Sequence, residues 1–427
     1  MLALKMPLTW FLFLFISFWP WEKDPGEIKK TSLPLPPLTA ELTTLRVALF
    51  YEKIQVEIGV HSPYQIQEYP GRRVLAEGAF LADTPIRFEP SGIRVGSVFY
   101  PVTGLRIEGI EREVQVEKKR YRNAVQILKN PAGSLTVVNE IDVEEYLKGV
   151  LPWEANPEWS EEALKAQAVA SRTYAIFENL KNREFPFTLS SDVGSQVYAG
   201  RNIEKPSTNR AVEKTRGEIL TYGGKIFPAY FHSTCGGRTT RTEFQFKVEP
   251  HPSLEGVDCP YCQGSKFYRW RQEFSAEEIR SRLAKKKTVT GRIQSLAPDR
   301  IDPSGRPRFF VVRHEEGEVS VPANDFRLAV GPDRMRSTQV KITPKERGFI
   351  FEGKGWGHGV GLCQFGTKQL AELGYRYQEI LRYYYPGSQI TRLKERGGLP
   401  RTVSEEPDEG NPVKRLFGGL KSYFEDL

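Results

Sequence analysis

Short runs of alternating apolar and polar residues fill the chain from position 45 to position 138. Examples are the runs 45–50, 54–58 and 124–128, and glycine, proline and aspartate residues separate such runs. Alternation with a period of two residues is typical of β-strands with one buried face, and the short connections favour antiparallel neighbours. This part of the chain is therefore predicted to be a β-rich unit.

The hydrophobic period changes to a helical one between residues 139 and 181. A first helix is predicted to begin after Asp142, whose carboxylate can accept the free N–H groups of the first turn. Glu145 is expected to reach back and complete a capping box. Apolar residues then recur at helical spacing until Pro152, which cannot continue the hydrogen-bond ladder.

A second helix is predicted from the N-cap residue Ser160 to about Phe177. Its small and apolar residues define two packing faces. One face contains Ala163, Ala166, Ala170, Tyr174 and Phe177, and the other contains Leu164, Ala168 and Ala175. Arg172 lies elsewhere on the helical wheel, almost in line with Lys165, so it is interpreted either as part of a solvated polar stripe or as a functional residue.

Between the two helices, a short loop bounded by Pro152 and Pro157 carries Glu154 next to Trp153. An aromatic wall removes water from a carboxyl group, raises its pKa and lets it hold a proton near neutral pH. Glu154 is therefore a candidate catalytic residue. The alternative is an ordinary surface glutamate in a turn.

The two ends of the chain differ in composition from its centre. Residues 1–24 combine a lysine, an apolar run and then charged residues, which is typical of an export signal peptide or, if it is not cleaved, of a membrane anchor. Residues 25–44 are predicted to be a proline-rich spacer, and residues 396–427 a polar linker with a short C-terminal helix. We therefore expect an extracytoplasmic protein of the cell envelope, secreted or anchored.

The net charge of +8 over 427 residues indicates anionic partners in general. Wall polymers, membrane surfaces and nucleic acids all fit this charge. The sequence contains no recognisable nucleic-acid-binding module, so no nucleic-acid partner is expected.

One histidine and three cysteines in the segment 232–262 occur as two pairs with equal spacing: His232 with Cys235, and Cys259 with Cys262. Such a set fits a tetrahedral structural zinc site, and four protein ligands would leave no position open for a catalytic water. An exported protein also allows a disulfide among Cys235, Cys259 and Cys262, for example between the last two. Separate reduced thiols are the third interpretation.

Residues 353–366 form a glycine-rich block in which glycine recurs at every second position from Gly353 to Gly361. Backbone without side chains lets an extended ligand approach closely. Trp356 offers a ring face on which a sugar can stack, and His358 and Gln364 offer hydrogen bonds. A phosphate-binding loop is excluded because the GxxxxGK pattern is missing. Tight structural packing is the alternative explanation of these glycines.

Four sequence blocks match one known family in the same order. They are VEEYL with ALKAQAVA and RTYA (residues 143–175), an aspartate followed by SQVYAG (residues 192–200), AYFHSTCGGRT (residues 229–239) and GWGHGVGLCQFG (residues 355–366). These blocks resemble the stage II sporulation protein D (SpoIID) family, whose other named branch is the LytB amidase-enhancer type. The resemblance covers roughly residues 45–393, and the family usually has serine where Cys363 stands.

The resemblance implies an α+β fold, mainly antiparallel β-sheet with several helices, in one domain over residues 45–395. It also implies a peptidoglycan lytic transglycosylase, which cleaves the MurNAc–GlcNAc β-1,4 bond without water and leaves a 1,6-anhydroMurNAc end. One carboxylate suffices because the C6 hydroxyl of the sugar is the nucleophile, so Glu154 would protonate the leaving oxygen and then accept the C6 proton. The implied substrate-binding residues are Arg172, Gln167, His232, Ser233, Trp356, His358 and Gln364. No cofactor is needed for this catalysis.

Two other function classes remain open. The first is a non-catalytic protein that binds peptidoglycan glycan strands and activates an N-acetylmuramoyl-L-alanine amidase, as the name of the LytB branch suggests. The second is a zinc amidase or peptidase. The sequence lacks the HExxH motif, and its best metal cluster would already be saturated with protein ligands, so this class is disfavoured.

Overall fold

The computed structural model describes residues 30–34, 40–191, 196–285, 289 and 291–393. The predicted export segment and C-terminal tail lie outside the described residues, as do Asp192 and Ser195 of the second sequence block. Within the described part of the chain, no helix is both long and apolar enough to cross a membrane.

Strands are the prevailing element of the fold. In chain order they are β1 (Leu33–Pro34), β2 (Thr44–Lys53), β3 (Gln55–Val60), β4 (Tyr64–Glu68), β5 (Val74–Gly78), β6 (Leu81–Glu89), β7 (Gly92–Val95), β8 (Val98–Tyr100), β9 (Gly104–Val116), β10 (Lys119–Asn130), β11 (Ser134–Asp142), β12 (Leu189–Ser190), β13 (Glu218–Tyr222), β14 (Lys225–Ile226), β15 (Phe231–His232), β16 (Arg269–Ser275), β17 (Ile293–Ile301), β18 (Pro307–His314), β19 (Gly317–Pro322), β20 (Val340–Lys345), β21 (Gly348–Lys354), β22 (Leu362–Cys363) and β23 (Gln389–Arg392).

The α-helices are fewer and mostly short. They are α1 (Ala40–Thr43), α2 (Val143–Lys148), α3 (Leu151–Glu154), α4 (Glu161–Lys181), α5 (Pro206–Lys214), α6 (Thr242–Gln245), α7 (Ala276–Ala284), α8 (Ala323–Val330), α9 (Gln364–Glu372) and α10 (Tyr377–Tyr384).

Strands β2 to β11, which come from the segment predicted to be rich in strands, form one large sheet together with β12. The order of neighbours is β12-β2-β11-β10-β9-β3-β6-β7-β8, and β4 joins through β9 and carries β5. The pairs among β2 to β11 are antiparallel, and β12 runs parallel to β2. The fold is therefore α+β with mainly antiparallel sheet, as predicted.

The described part of the predicted spacer packs on the domain. Leu33 of β1 lies opposite Ile226 of β14, and the neighbouring Thr31 is buried. The proline-rich composition predicted an extended segment, and an extended segment with apolar residues can join a sheet edge as well as stand free.

The helical segment agrees with its predicted caps in part. Asp142 accepts a hydrogen bond from the N–H of Glu144 at 2.9 Å, as an N-cap should. Glu145 does not complete a capping box, because its carboxylate pairs with Lys148 at 2.8 Å and with Arg122 at 3.2 Å. The segment with Glu154, predicted as a loop, is the helical turn α3, in which proline near the start is tolerated.

Helix α4 lies between two hydrophobic cores, in agreement with its two predicted faces except at Phe177, which packs in the core of the opposite face. Leu164, Ala168 and Ala175 belong to the core beneath the large sheet. Ala166 and Ala170 belong to a second core that includes β22, α9 and α10. Small side chains on both faces let these layers approach the helix closely.

Residues 269–354 build a third core of their own. Strands β16, β21 and β20 form one small sheet and β17, β18 and β19 another, and α7 and α8 pack with them around Phe310 and Phe326. The first and last strands of this unit are paired, with Arg269 opposite Lys354. The chain therefore enters and leaves this unit at neighbouring positions.

Candidate functional site

Glu154 lies on the wall of a cavity of about 480 Å³ that opens to solvent. Its lining residues come from the α3–α4 segment, from the end of β15 and from the glycine-rich block. They are Trp153, Glu154, Asn156, Trp159, Ser233, Trp356, Gln364 and Phe365. Four residues that the sequence nominated (Glu154, Ser233, Trp356 and Gln364) are thus brought together.

The Glu154 carboxyl is the one ionisable side chain among these lining residues. Burial raises its pKa from the usual value to about 7, and two hydrogen bonds limit the rise. One comes from the N–H of Val197 at 3.4 Å, and the other from the side-chain amide of Gln364. A carboxyl group with this pKa can donate a proton and take one back near neutral pH.

The aromatic wall around Glu154 is wider than its sequence neighbour alone. Trp153 lines the cavity but is 61% exposed, so it removes little water from the carboxyl. Trp159 and Phe365, which sequence reasoning did not nominate, pack edge to face with ring centroids 5.6 Å apart. Trp159 lies within the first matched block, residues 143–175, so the family resemblance was the one signal that could have found it.

Tyr146 is a further residue that the sequence analysis did not nominate for the site. It is fully buried, its hydroxyl has no hydrogen-bond partner among the described residues, and its ring lies 5.0 Å from that of Tyr198. Burial, with the nearby Glu154 carboxylate as a second cause, raises the pKa of Tyr146 well above its usual value. Tyr146 is therefore neutral, and it lies close enough to Glu154 to feel the charge of its carboxylate.

Two distant sequence blocks form the opposite part of the site through a short parallel pairing. Phe231 lies opposite Leu362 and His232 opposite Cys363. The pairing brings Ser233 and Gln364, the residues that follow each strand, to the cavity. Gly357 allows this approach, since a Cβ atom there would lie 2.7 Å from the Cβ of His232. Gly357 is therefore explained by close packing against His232, the alternative that the sequence analysis also allowed for these glycines.

The two predicted histidines lie behind the cavity rather than on its wall. His232 is 4% exposed, its Nδ1 lies 3.1 Å from the carbonyl oxygen of Val360, and its Nε2 is buried without a partner. Burial lowers the pKa of His232 to about 3 and that of His358 well below its usual value. Nδ1 of His358 accepts the N–H of Val360 at 3.1 Å, so both rings are neutral and hold this block in place.

Arg172 is neither a solvated residue nor a cavity residue, and both predicted roles are corrected. Its side chain is 0% exposed and forms a bidentate ion pair with Glu144 at 2.7 and 2.9 Å. It also donates to the carbonyl oxygens of Val212 and Glu218 at 3.2 and 3.1 Å. A guanidinium with all these buried partners ties α2, α4 and α5 together and has no access to substrate.

Gln167 is also buried within α4 and is absent from the residues that line the cavity. Its side-chain amide donates to Ser171 at 3.0 Å, one turn further along the helix, and its oxygen has no partner among the described residues. Its predicted contact with substrate stays a prediction.

The cysteines form one compact group whose membership differs from the predicted set. The Sγ atoms of Cys235, Cys259, Cys262 and Cys363 all lie within 4.8 Å of one another, and all four residues are buried. Cys363 takes the place predicted for His232, because the β15–β22 pairing sets the two side by side and the His232 ring turns to Val360 instead. The predicted ligand set with His232 was wrong in that member.

All four cysteines are free thiols, and the Sγ atoms of Cys235 and Cys262 lie 3.4 Å apart. Four thiolates bound to one Zn²⁺ at about 2.3 Å stand about 3.8 Å from one another. The observed cluster is close to that spacing. Four sulfur donors form a chemically suitable set for a structural zinc ion, without a position for water.

Comparison with known proteins agrees with the four matched blocks. A family model described as stage II sporulation protein (SpoIID) matches residues 131–222, and a domain of unknown function (DUF8618) matches residues 256–361, which contain most of the third core. An uncharacterized protein of Brachyspira hyodysenteriae is 33% identical over 360 residues, which cover 82% of this chain and 94% of that protein.

Two relatives from Bacillus subtilis carry descriptive names. Its stage II sporulation protein D is 27% identical over 344 residues, covering 77% of this chain and 89% of that protein. Its amidase enhancer is 28% identical over 299 residues, covering 57% of this chain and 40% of that protein. With the family model, the relatives and the matched blocks in agreement, the chain belongs to the stage II sporulation protein D (SpoIID) family.

Proposed function

We propose that this protein is a lytic transglycosylase that cleaves the MurNAc–GlcNAc β-1,4 bond of peptidoglycan glycan strands and leaves 1,6-anhydroMurNAc ends. Membership of the SpoIID family supports a function related to the cell wall. The observation that carries the finer proposal is Glu154, a carboxyl group with a pKa of about 7 on the wall of an aromatic-lined cavity.

In this mechanism Glu154 acts twice. As a carboxylic acid it protonates the glycosidic oxygen while the C1–O bond breaks, and as a carboxylate it then accepts the C6 hydroxyl proton while the C6 oxygen bonds to C1. A hydrolase would require a second carboxylate across the scissile bond. The described cavity wall offers no second carboxylate, and this favours attack by the sugar's own hydroxyl.

The rest of the cavity supplies binding rather than proton transfer. The rings of Trp153, Trp159 and Trp356 suit the flat faces of sugars. The side chains of Asn156, Ser233 and Gln364 offer hydrogen bonds to hydroxyl and acetamido groups. His232 and His358 support this wall from behind, since both are neutral and hydrogen-bonded to Val360.

The test is mass spectrometry of purified glycan strands, with and without stem peptides, after incubation with the wild-type protein or with Glu154→Gln. Anhydro-ended products from wild type alone support both the activity and its acid. Equal products from both proteins would remove Glu154 from the mechanism. No products from either, with the strands still bound, would refute the enzyme.

A second candidate function rests on the amidase enhancer among the relatives. In that case the same cavity binds glycan strands, and the protein raises the activity of an N-acetylmuramoyl-L-alanine amidase without cutting glycan. Release of stem peptides by such an amidase, measured with and without this protein, distinguishes the two. Stimulation by Glu154→Gln equal to that by wild type would favour the enhancer.

Substrate of this kind lies outside the cytoplasm. We therefore propose an extracytoplasmic location in the cell envelope, with residues 1–24 as a cleaved signal or a retained anchor. The mass of the mature protein, together with its distribution between membrane and soluble fractions, tests both.

The four-cysteine cluster is proposed as a structural Zn²⁺ site. An ion there would link Cys235, Cys259, Cys262 and Cys363, and its chemistry is that of a clamp because four thiolates leave no open position. Cys235 and Cys363 lie two residues and one residue from Ser233 and Gln364, so the clamp would hold the wall of the cavity. No step of the proposed reaction passes through it.

A further inference from the structure

Trp356 lines the cavity and also contacts two other side chains of the region 256–361, those of Phe267 and Arg336. The Phe267 ring meets the Trp356 ring edge to face, with centroids 4.2 Å apart. The guanidinium carbon of Arg336 lies 5.5 Å from the Phe267 centroid and 5.8 Å from the Trp356 centroid. Both distances are within the range of a cation–π contact, so one cation is held beside two rings, and one of these rings, Trp356, lines the cavity.

The Arg336 guanidinium makes no hydrogen bond and no ion pair with any described residue, and its Nε is buried without a partner. Its backbone is firmly held, because the carbonyl oxygen accepts the N–H of Gly357 at 2.8 Å and the Nε of Arg327 at 3.1 Å. An unpaired buried donor destabilises the folded protein. Because the buried Nε is out of reach, a ligand would bind at the terminal N–H groups, which also have no partner among the described residues.

Neighbouring arginines of the same unit are satisfied within the protein. Arg334 pairs with Glu278, and Arg313 pairs with Glu318. Arg334 also stacks on an aromatic ring, that of Phe274 at 4.3 Å, so Arg336 differs from both in its guanidinium, which has no hydrogen-bond or ion-pair partner among the described residues. Planar pairs of N–H groups match the two oxygens of a carboxylate.

We propose that Arg336, together with Trp356 and Phe267, forms a subsite that binds a carboxylate carried by the glycan substrate. The proposal rests on the proposed function, since it deepens the choice of substrate at the same cavity. A sugar ring held on the Trp356 wall presents its acidic substituent to the guanidinium, whereas a neutral glycan leaves the donors unpaired. The carboxylate can come from the lactyl group of a strand without stem peptides or from the stem peptide itself.

Binding is measured in the full chain with Glu154→Gln, so that no glycan is cut during the titration. Four glycans are compared: chitooligosaccharide, which has no carboxylate, strands without stem peptides, the same strands with their carboxyls methyl-esterified, and strands with stem peptides. Arg336→Gln is added to this background. The matched control is Arg308→Gln, because Arg308 belongs to the same unit and also stacks on a phenylalanine, 5.6 Å from the Phe309 centroid.

We expect Arg336→Gln to weaken binding of the acidic strands about tenfold or more, as the loss of a charged hydrogen bond predicts. Binding of chitooligosaccharide and of the esterified strands should stay unchanged, and Arg308→Gln should bind as the background does. A loss only with the peptide-free strands assigns the lactyl carboxylate, and a loss only with the peptide-bearing strands assigns the stem peptide.

An equal loss for neutral and acidic glycans would overturn the subsite, and so would unchanged binding of all four. Absence of binding by the background protein would overturn it as well. Thermal unfolding of Arg336→Gln beside Arg308→Gln separates lost folding from lost binding. Cleavage of strands by the wild-type protein is scored separately, so failure of the subsite and failure of the transglycosylase activity give different results.

Discussion

Gln364, the first residue of α9, donates its side-chain amide to the carboxyl group of Glu154 on α3. The contact joins the fourth sequence block to the first. Because a donor stabilises the ionised carboxylate, it holds the pKa of Glu154 lower than burial alone would set it.

The activity should therefore depend on the proton of Glu154. With a pKa of about 7, the acid form is lost as pH rises through neutrality, so kcat/KM should fall on the alkaline side. Gln364→Ala removes a donor to the carboxylate and should move this fall to higher pH. The pH profile of anhydro-product formation checks both. A fall that stays in place or moves to lower pH in Gln364→Ala would contradict the assignment.

The raised pKa of Glu154 also makes the stability of the fold depend on pH. The folded protein keeps the Glu154 proton to about pH 7, whereas an unfolded glutamate loses it near 4.5, so the fold loses stability between these values as pH rises. Glu154→Gln abolishes this loss. Its advantage in free energy of unfolding should be about 1–2 kcal/mol larger at pH 8 than at pH 5, allowing for partial exposure of the carboxyl. Urea unfolding at the two pH values measures it, and an equal advantage at both would refute the raised pKa.

Arg172 offers a test of the buried ion pair. Arg172→Met leaves the Glu144 carboxylate buried without its cation and should cost about 3–5 kcal/mol in free energy of unfolding. The matched control is Lys181→Met on the same helix, whose pair with Glu178 is partly exposed and should cost below about 1 kcal/mol. Denaturant unfolding compares the two. Equal small losses in free energy of unfolding for the two variants would contradict the buried ion pair and favour the solvated position of Arg172 that the sequence also allowed.

The corrected cysteine set makes a distinct prediction about metal. Cys363→Ser should bind substantially less zinc than the wild type, whereas His232→Gln should keep it, because His232 is not a member of the cluster. Metal analysis after dialysis against zinc, and the visible spectrum of the cobalt-substituted protein, report binding without reference to activity. Loss of metal in His232→Gln with retention in Cys363→Ser would restore the set predicted from the sequence.

Local sequence rules predicted the elements well where the controlling contacts are close in the chain. The N-caps Asp142 and Ser160 and the β-rich unit before them follow from side chains a few residues apart. Glu154, Ser233, Trp356 and Gln364 were nominated from the sequence and all line the cavity.

Long-range pairing accounts for what the sequence could not predict. A helical wheel shows which residues share a face, but it does not show that Glu144 of another helix neutralises Arg172. Likewise, equal spacing favoured His232 as a metal ligand, and only the register of β15 against β22 brings Cys363 to the other cysteines. The Arg336 contact with Trp356 depends in the same way on an isolated bridge between Ser337 and Gly357.

The pairing of β16 with β21 has a consequence for how this protein can change over generations. Because Arg269 and Lys354 are opposite each other, the ends of the intervening unit stand one strand spacing apart, about 5 Å. A hairpin turn of a few residues would bridge that gap, so the unit can be exchanged without rethreading the rest of the chain, provided that its replacement also satisfies the carbonyl oxygens of Cys235 and Arg238, which Arg306 binds here. Lineages could in this way replace the unit that carries Arg336 and keep the segment that carries Glu154.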